Sequence, residues 1–113
     1  MTIEGFIIDR LSEELSVSVS GSVPHPMPEQ FVTVEKTGSS ETDRIRGATV
    51  AVQSWSTGRA AAAALNETVK EAMAGLTALP EISRCALVSD YNYTDRSTDT
   101  CRYQAVFDVV HYL

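Results

Sequence analysis

The chain has 113 residues, 43% of them hydrophobic, and sets nine lysines and arginines against fifteen aspartates and glutamates for a net charge of −6. That length fits one domain with one core, and the hydrophobic share excludes a disordered acidic tail. The negative balance argues against binding nucleic acid through its phosphates, which needs clustered basic residues; here only Arg44 and Arg46 lie close together, inside a polar stretch.

The first element is predicted over residues 3–15, where Ile3, Ile7, Leu11 and Leu15 recur at helical spacing beside Phe6. Thr2 is placed to cap it, and Glu4 suits the positive end of its dipole. Acidic residues stand where a secretory signal would carry positive charge, so the expectation is a folded, cytoplasmic start. No segment reaches the ~20 apolar residues of a membrane span. Val17 and Val19 then alternate with serines as a short half-buried strand that breaks near Gly21. Pro24, Pro26 and Pro28 follow, with His25 and Met27 between them. Each proline fixes φ and removes a donor, so residues 23–30 are predicted to form a stiff, extended arm.

Phe31 to Lys36 reads as the second strand, with Val32 and Val34 on one face and Phe31, Thr33 and Glu35 on the other. Residues 38–47 are polar and turn-rich, and are expected to form a loop well beyond the ~2–5 residues of an ordinary hairpin. ATVAVQSW is a third strand, Val50 and Val52 facing one way, Ala51, Gln53 and Trp55 the other. Trp55 is expected to pack beneath the start of the next helix. That helix is predicted from Thr57 to Leu76, capped by Ser56 or Thr57, with Ala61, Leu65, Val69, Ala72, Met73 and Leu76 on its buried stripe. Gly75 and Pro80 end it. Two strands, from Cys85 to Tyr93 and from Arg102 to Leu113, form a closing hairpin across the polar linker TDRSTDT. This arrangement keeps Cys85 and Cys101 at opposite ends and excludes a disulfide without rearrangement.

The order α-β-β-β-α-β-β predicts an α+β fold over residues 1–113. Its sheet is antiparallel or mixed, with about five strands and two helices on one face.

Catalytic chemistry finds no residues to carry it. His25 and His111 belong to no metal or triad pattern, and the glycines match no phosphate-binding loop. Asp90, Asp95 and Asp99 lack the spacing and closing glutamate of a calcium loop. The expectation is a protein that is not an enzyme and holds no metal or cofactor.

Two junctions are distinctive: the proline-led PMPEQFVTVEKTG, Pro26 to Gly38, and VAVQSWSTGRAAAAAL, a strand ending in tryptophan that passes into an alanine-rich helix. Together they resemble the small tail-terminator and tail-completion proteins of long-tailed bacteriophages and prophages, across most of the chain. The resemblance implies a non-enzymatic subunit of a homo-oligomeric, commonly hexameric, ring that caps the tail tube and joins it to the head. Its partners would be tail-tube and head-connector proteins; its place would be the host cytoplasm during assembly and then the virion. Under this reading Pro24, His25, Pro26, Met27 and Pro28 form a subunit-contact arm. Ser39, Ser40, Glu41, Thr42, Asp43, Arg44, Ile45 and Arg46 form an assembly loop. A head–tail connector or minor capsid component is the rival within the class. A small ligand-binding module using Trp55 and the tyrosines of the last hairpin is the rival outside it.

Overall fold

The structure, a computed structural model, describes residues 1–97 and 99–113; Thr98, in the predicted last linker, lies outside the described residues. Its elements are α1 (Ile3–Glu14), β1 (Ser18–Ser20), β2 (Gln30–Thr42), β3 (Ile45–Ser56), α2 (Arg59–Ala74), a 3₁₀ turn (Gly75–Ala78), β4 (Ile82–Asn92) and β5 (Cys101–His111). The strands make one mixed sheet in the order β1-β2-β3-β5-β4, with β1 parallel to β2 and the other pairs antiparallel.

Both helices pack on one face, as the α+β reading expects. Ile3, Phe6, Ile7 and Leu11 of α1 and Leu65, Val69 and Met73 of α2 meet Val32, Val34, Val50, Val52, Ala105, Phe107 and Val109 of the sheet. Each fully buried aliphatic side chain contributes ~1.5–3 kcal/mol, so this layer carries most of the stability. At the start of α1, Thr2 Oγ1 accepts the Gly5 N–H at 3.0 Å, the cap expected from sequence.

Three expectations are corrected. The start of α2 is capped by Gly58 with no side-chain bond, not by Ser56 or Thr57, because β3 runs through Ser56 and buries it. Ala62 rather than Ala61 lies fully buried on the helix stripe, together with a polar residue, Asn66. The largest correction concerns residues 38–47, which are not a loop. β2 and β3 stay paired to Thr42 opposite Ile45, and Asp43 and Arg44, at φ 52° and 68°, make the two-residue turn. Positive φ at both positions matches the strand twist, which is why such turns close hairpins. The strand signal was hidden because this end is exposed on both faces, so no apolar alternation is needed.

Candidate functional site

β2 is thirteen residues long and spans most of the 45 Å long axis of the molecule. The two segments singled out in the sequence lie at its two ends. Residues 21–29 leave the end of β1 and return to the start of β2, as two neighbouring strands running in the same direction require. Val23 and Pro24 are half-buried, whereas His25, Pro26, Met27 and Pro28 are exposed, and the His25–Pro26 peptide is cis. The prolines therefore have an intramolecular job, stiffening a crossover that contains no helix.

At the far end stands the β2–β3 hairpin. Ser39, Ser40, Glu41, Thr42, Asp43, Arg44, Ile45 and Arg46 are all exposed. Glu41 lies 3.9 Å from Arg46, and Arg46 Nη1 donates to the Leu113 carbonyl at 2.6 Å. The pairing slips between Lys36 and Gly38, leaving Thr37 as an extra residue, a bulge of the kind that bends a strand and increases its twist. Beside this bend, Lys36 N–H donates to Glu4 Oε2 at 2.8 Å, so α1 holds the base of the hairpin. Small residues, Gly38, Ser39, Ser40, Gly47 and Ala48, leave a shallow hollow on each face of its waist. In the hollow on the helix side sits His111, 7% exposed, whose pKa is pushed down by burial and by the nearby Arg46 and Lys36 charges.

The sheet face away from the helices carries two ordered rows that sequence reasoning did not assemble. In one, Phe31 stacks on Trp55 at 5.2 Å between ring centroids, and Arg102 lies 4.7 Å from the Trp55 centroid and 4.5 Å from that of Tyr93. Trp55 is thus not beneath the helix start; its position on β3 points it to the opposite face. In the other row Trp55 Nε1 donates to Thr33 Oγ1, Thr33 to Gln53 Oε1, Gln53 Nε2 to Gln104 Oε1, and Gln104 Nε2 to the Tyr91 hydroxyl. These bonds follow the register directly, Thr33 opposite Gln53, Gln53 opposite Gln104, Gln104 opposite Tyr91. From Thr33 onward every donor points the same way across four strands, β2 to β3 to β5 to β4, so each bond polarises the next. The signal was present in the sequence as strand parity, but strand order was needed to read it.

Among the described residues no three His, Cys, Asp or Glu side chains gather as a metal site would. Asp90 is held by Asn66 Nδ2 at 3.3 Å and Lys70 Nζ at 3.4 Å, while Asp95 Oδ1 accepts from Ser97. Cys85 and Cys101 are free thiols, and burial pushes Cys85 up to about 11. What the surface offers is shape: an elongated sheet with one ordered bare face, an exposed arm at one end and a hairpin at the other. Among the described residues no helix is long and apolar enough to cross a membrane.

The chain matches no protein-family model, and no curated protein matches it either. It does superpose on solved structures. Among them is a chain from the virion of a native gene transfer agent particle, at a TM-score of 0.67 and 18% identity. The overlap covers 89% of this chain and 83% of that one. The likeness is one of fold: nearly the whole α+β layer, not a local motif, is shared.

Proposed function

We propose that this chain is a structural component of a phage-type particle, and within that class a tail terminator. Its copies would close a ring, a hexamer in the family that the sequence resembles, capping the tail tube and joining it to the head. The observation that carries the reading is the near-complete overlap of fold with a virion chain. It agrees with the tail-terminator resemblance of the Pro26–Gly38 and Val50–Leu65 stretches. The distribution of exposed features supports it. The arm and the hairpin tip lie at opposite ends of the long axis, so one subunit can meet different neighbours at each end. In this role Pro24, His25, Pro26, Met27 and Pro28 contact an adjoining subunit at little ordering cost, since proline has already restricted them. The hairpin of residues 39–46 contacts the tube or the next ring.

Light scattering over a wide concentration range, alone and with purified tail tubes, tests this reading. A closed ring, or a monomer that assembles only on tube ends, is the expected result. A monomer indifferent to tubes overturns the terminator role; binding to head-connector rings instead would assign the chain to the connector.

A further inference from the structure

The sheet has two unfinished edges. β4 is the outermost strand on one side, paired only to β5, and Ser83, Arg84, Leu87, Val88, Ser89 and Tyr91 along it are exposed. On the other side β1 covers only Phe31, Val32 and Thr33 of β2. Beyond them Glu4 takes the Lys36 N–H, and among the described residues no strand lies beside the outer edge of β2 from Gly38 to Thr42. An open edge presents a row of unpaired N–H and C=O groups, and folded proteins shield it with proline, charged side chains, β-bulges or a covering element. β4 contains neither proline nor lysine, and what shields it is Arg84, Asp90 and the two register slips at Ile82–Arg84 and Leu87–Ser89.

Strand direction decides what fits these edges. β2 and β3 are antiparallel, β3 and β5 are antiparallel, and so are β5 and β4. Three reversals leave β4 running opposite to β2. A second copy set beside the first in the same orientation therefore brings its β2 edge alongside β4 as an antiparallel neighbour. Such a contact uses two different edges of the same chain, so it repeats head to tail and closes into a ring when the rotation allows. β4 also has something to gain. Its register slips between Leu87 and Ser89, leaving Val88 without a partner on β5 and 57% exposed beside Leu87 at 46%.

We propose that successive copies join edge to edge, the distal β2 edge of one protomer, around residues 38–42, pairing with β4 of the next. This rests on the ring reading above and names the surfaces that would make the ring. β1 would then act as a stop, since it occupies the same side of β2 and limits the incoming strand to the hairpin half.

Cysteine cross-linking in a Cys101→Ser background tests it; Cys85, with its thiol pushed up to about 11, is a poor nucleophile at neutral pH. Glu41→Cys marks the β2 edge and Arg84→Cys the β4 edge, each treated with a short bismaleimide alone and then mixed. Cross-linked dimer in the mixture only is the expected result. Dimer from Arg84→Cys alone would mean two β4 edges meeting about a two-fold axis, and would overturn the proposal. As a second measurement, Val88→Lys places a charge on an exposed edge position, so its melting curve should match the wild type while its assembly is lost. A wild-type ring that Val88→Lys does not disturb, with no mixed cross-link, overturns edge pairing and leaves the ring standing. Mixed cross-links without any closed ring, even on tubes, would keep edge pairing and remove the terminator reading instead.

Discussion

The Arg102 guanidinium lies 4.7 Å from the centroid of Trp55, on the sheet face that the helices leave bare. It occupies the position opposite Trp55 in the β3–β5 register and also covers Tyr93, so one cation ties the third and fifth strands to the residue that follows the fourth. A cation over an aromatic face is worth ~0.5–1 kcal/mol when exposed and ~2 when desolvated. Arg102→Ala should therefore lower the unfolding free energy by about 1–2 kcal/mol, measured by urea titration, and shift Trp55 fluorescence. Arg102→Lys should recover only part, because the planar guanidinium stacks where an ammonium does not. An unchanged midpoint for Arg102→Ala would show the stack to be incidental.

The amide row makes a separate claim. Gln53 Nε2 donates to Gln104 Oε1 at 2.6 Å, and each glutamine has a second partner, Thr33 and Tyr91 respectively. Cross-strand pairs of this kind contribute roughly 0.2–1 kcal/mol. In a double-mutant cycle of Gln53→Ala and Gln104→Ala, the coupling should fall near the upper end of that range. Strict additivity would mean that the row is held by water as well as by its members.

Most of the fold is legible in the sequence because the buried face enforces a period. Ile3, Ile7 and Leu11 betray α1, and Val50 with Val52 betray β3, since each must point at the same core. Legibility ends where burial ends. From Glu35 to Thr42 both faces of β2 meet solvent, so Ser39, Ser40, Glu41 and Thr42 carry no alternation and resemble a loop. Asp43-Arg44 is also a weak turn signal, lacking the glycine that usually marks a two-residue hairpin. Trp55 misled for another reason: closeness in sequence to the helix suggested contact, while strand parity places it on the far face.

That turn is itself testable. Arg44 sits at φ 68°, a conformation that costs an L-residue roughly 1–2 kcal/mol, whereas glycine adopts it freely. Part of the relief is offset by the greater freedom of glycine in the unfolded chain. Arg44→Gly should thus stabilise the protein by up to about 1 kcal/mol, and slow amide exchange at Thr42 and Ile45. Replacing residues 41–46 with Asn-Gly, which keeps Ser40 opposite Gly47 as the closing pair, should leave a folded domain whose assembly is blocked. Normal assembly on tubes by that variant would remove the hairpin from the interface.

Under α2, Asn66 is 1% exposed and gives its amide to Asp90, while its Oδ1 has no partner among the described residues. Asp90→Ala would leave the amide nitrogen buried and unpaired as well, and orphaning such a group costs ~1–3 kcal/mol. It would also remove the Lys70–Asp90 contact at 3.4 Å. Asp90→Asn, which can still accept from Asn66, should recover most of the loss. If both variants melt together, the bond to Asn66 is not what holds Asp90.

His111 links the hairpin to acid stability. Its Nδ1 accepts the Leu113 N–H at 3.2 Å, which requires that nitrogen to be unprotonated. Burial first, then the Arg46 and Lys36 charges, lowers its pKa below the ordinary 6.5. The unfolded chain therefore takes up a proton at a pH where the native chain does not. Stability is full above 6.5 and is lost progressively as the pH falls from there toward the depressed native value. His111→Gln keeps a hydrogen-bonding side chain but cannot titrate. Between about pH 7 and pH 5 its unfolding free energy should fall less steeply than that of the wild type, and parallel curves would show that His111 charges equally well in both states.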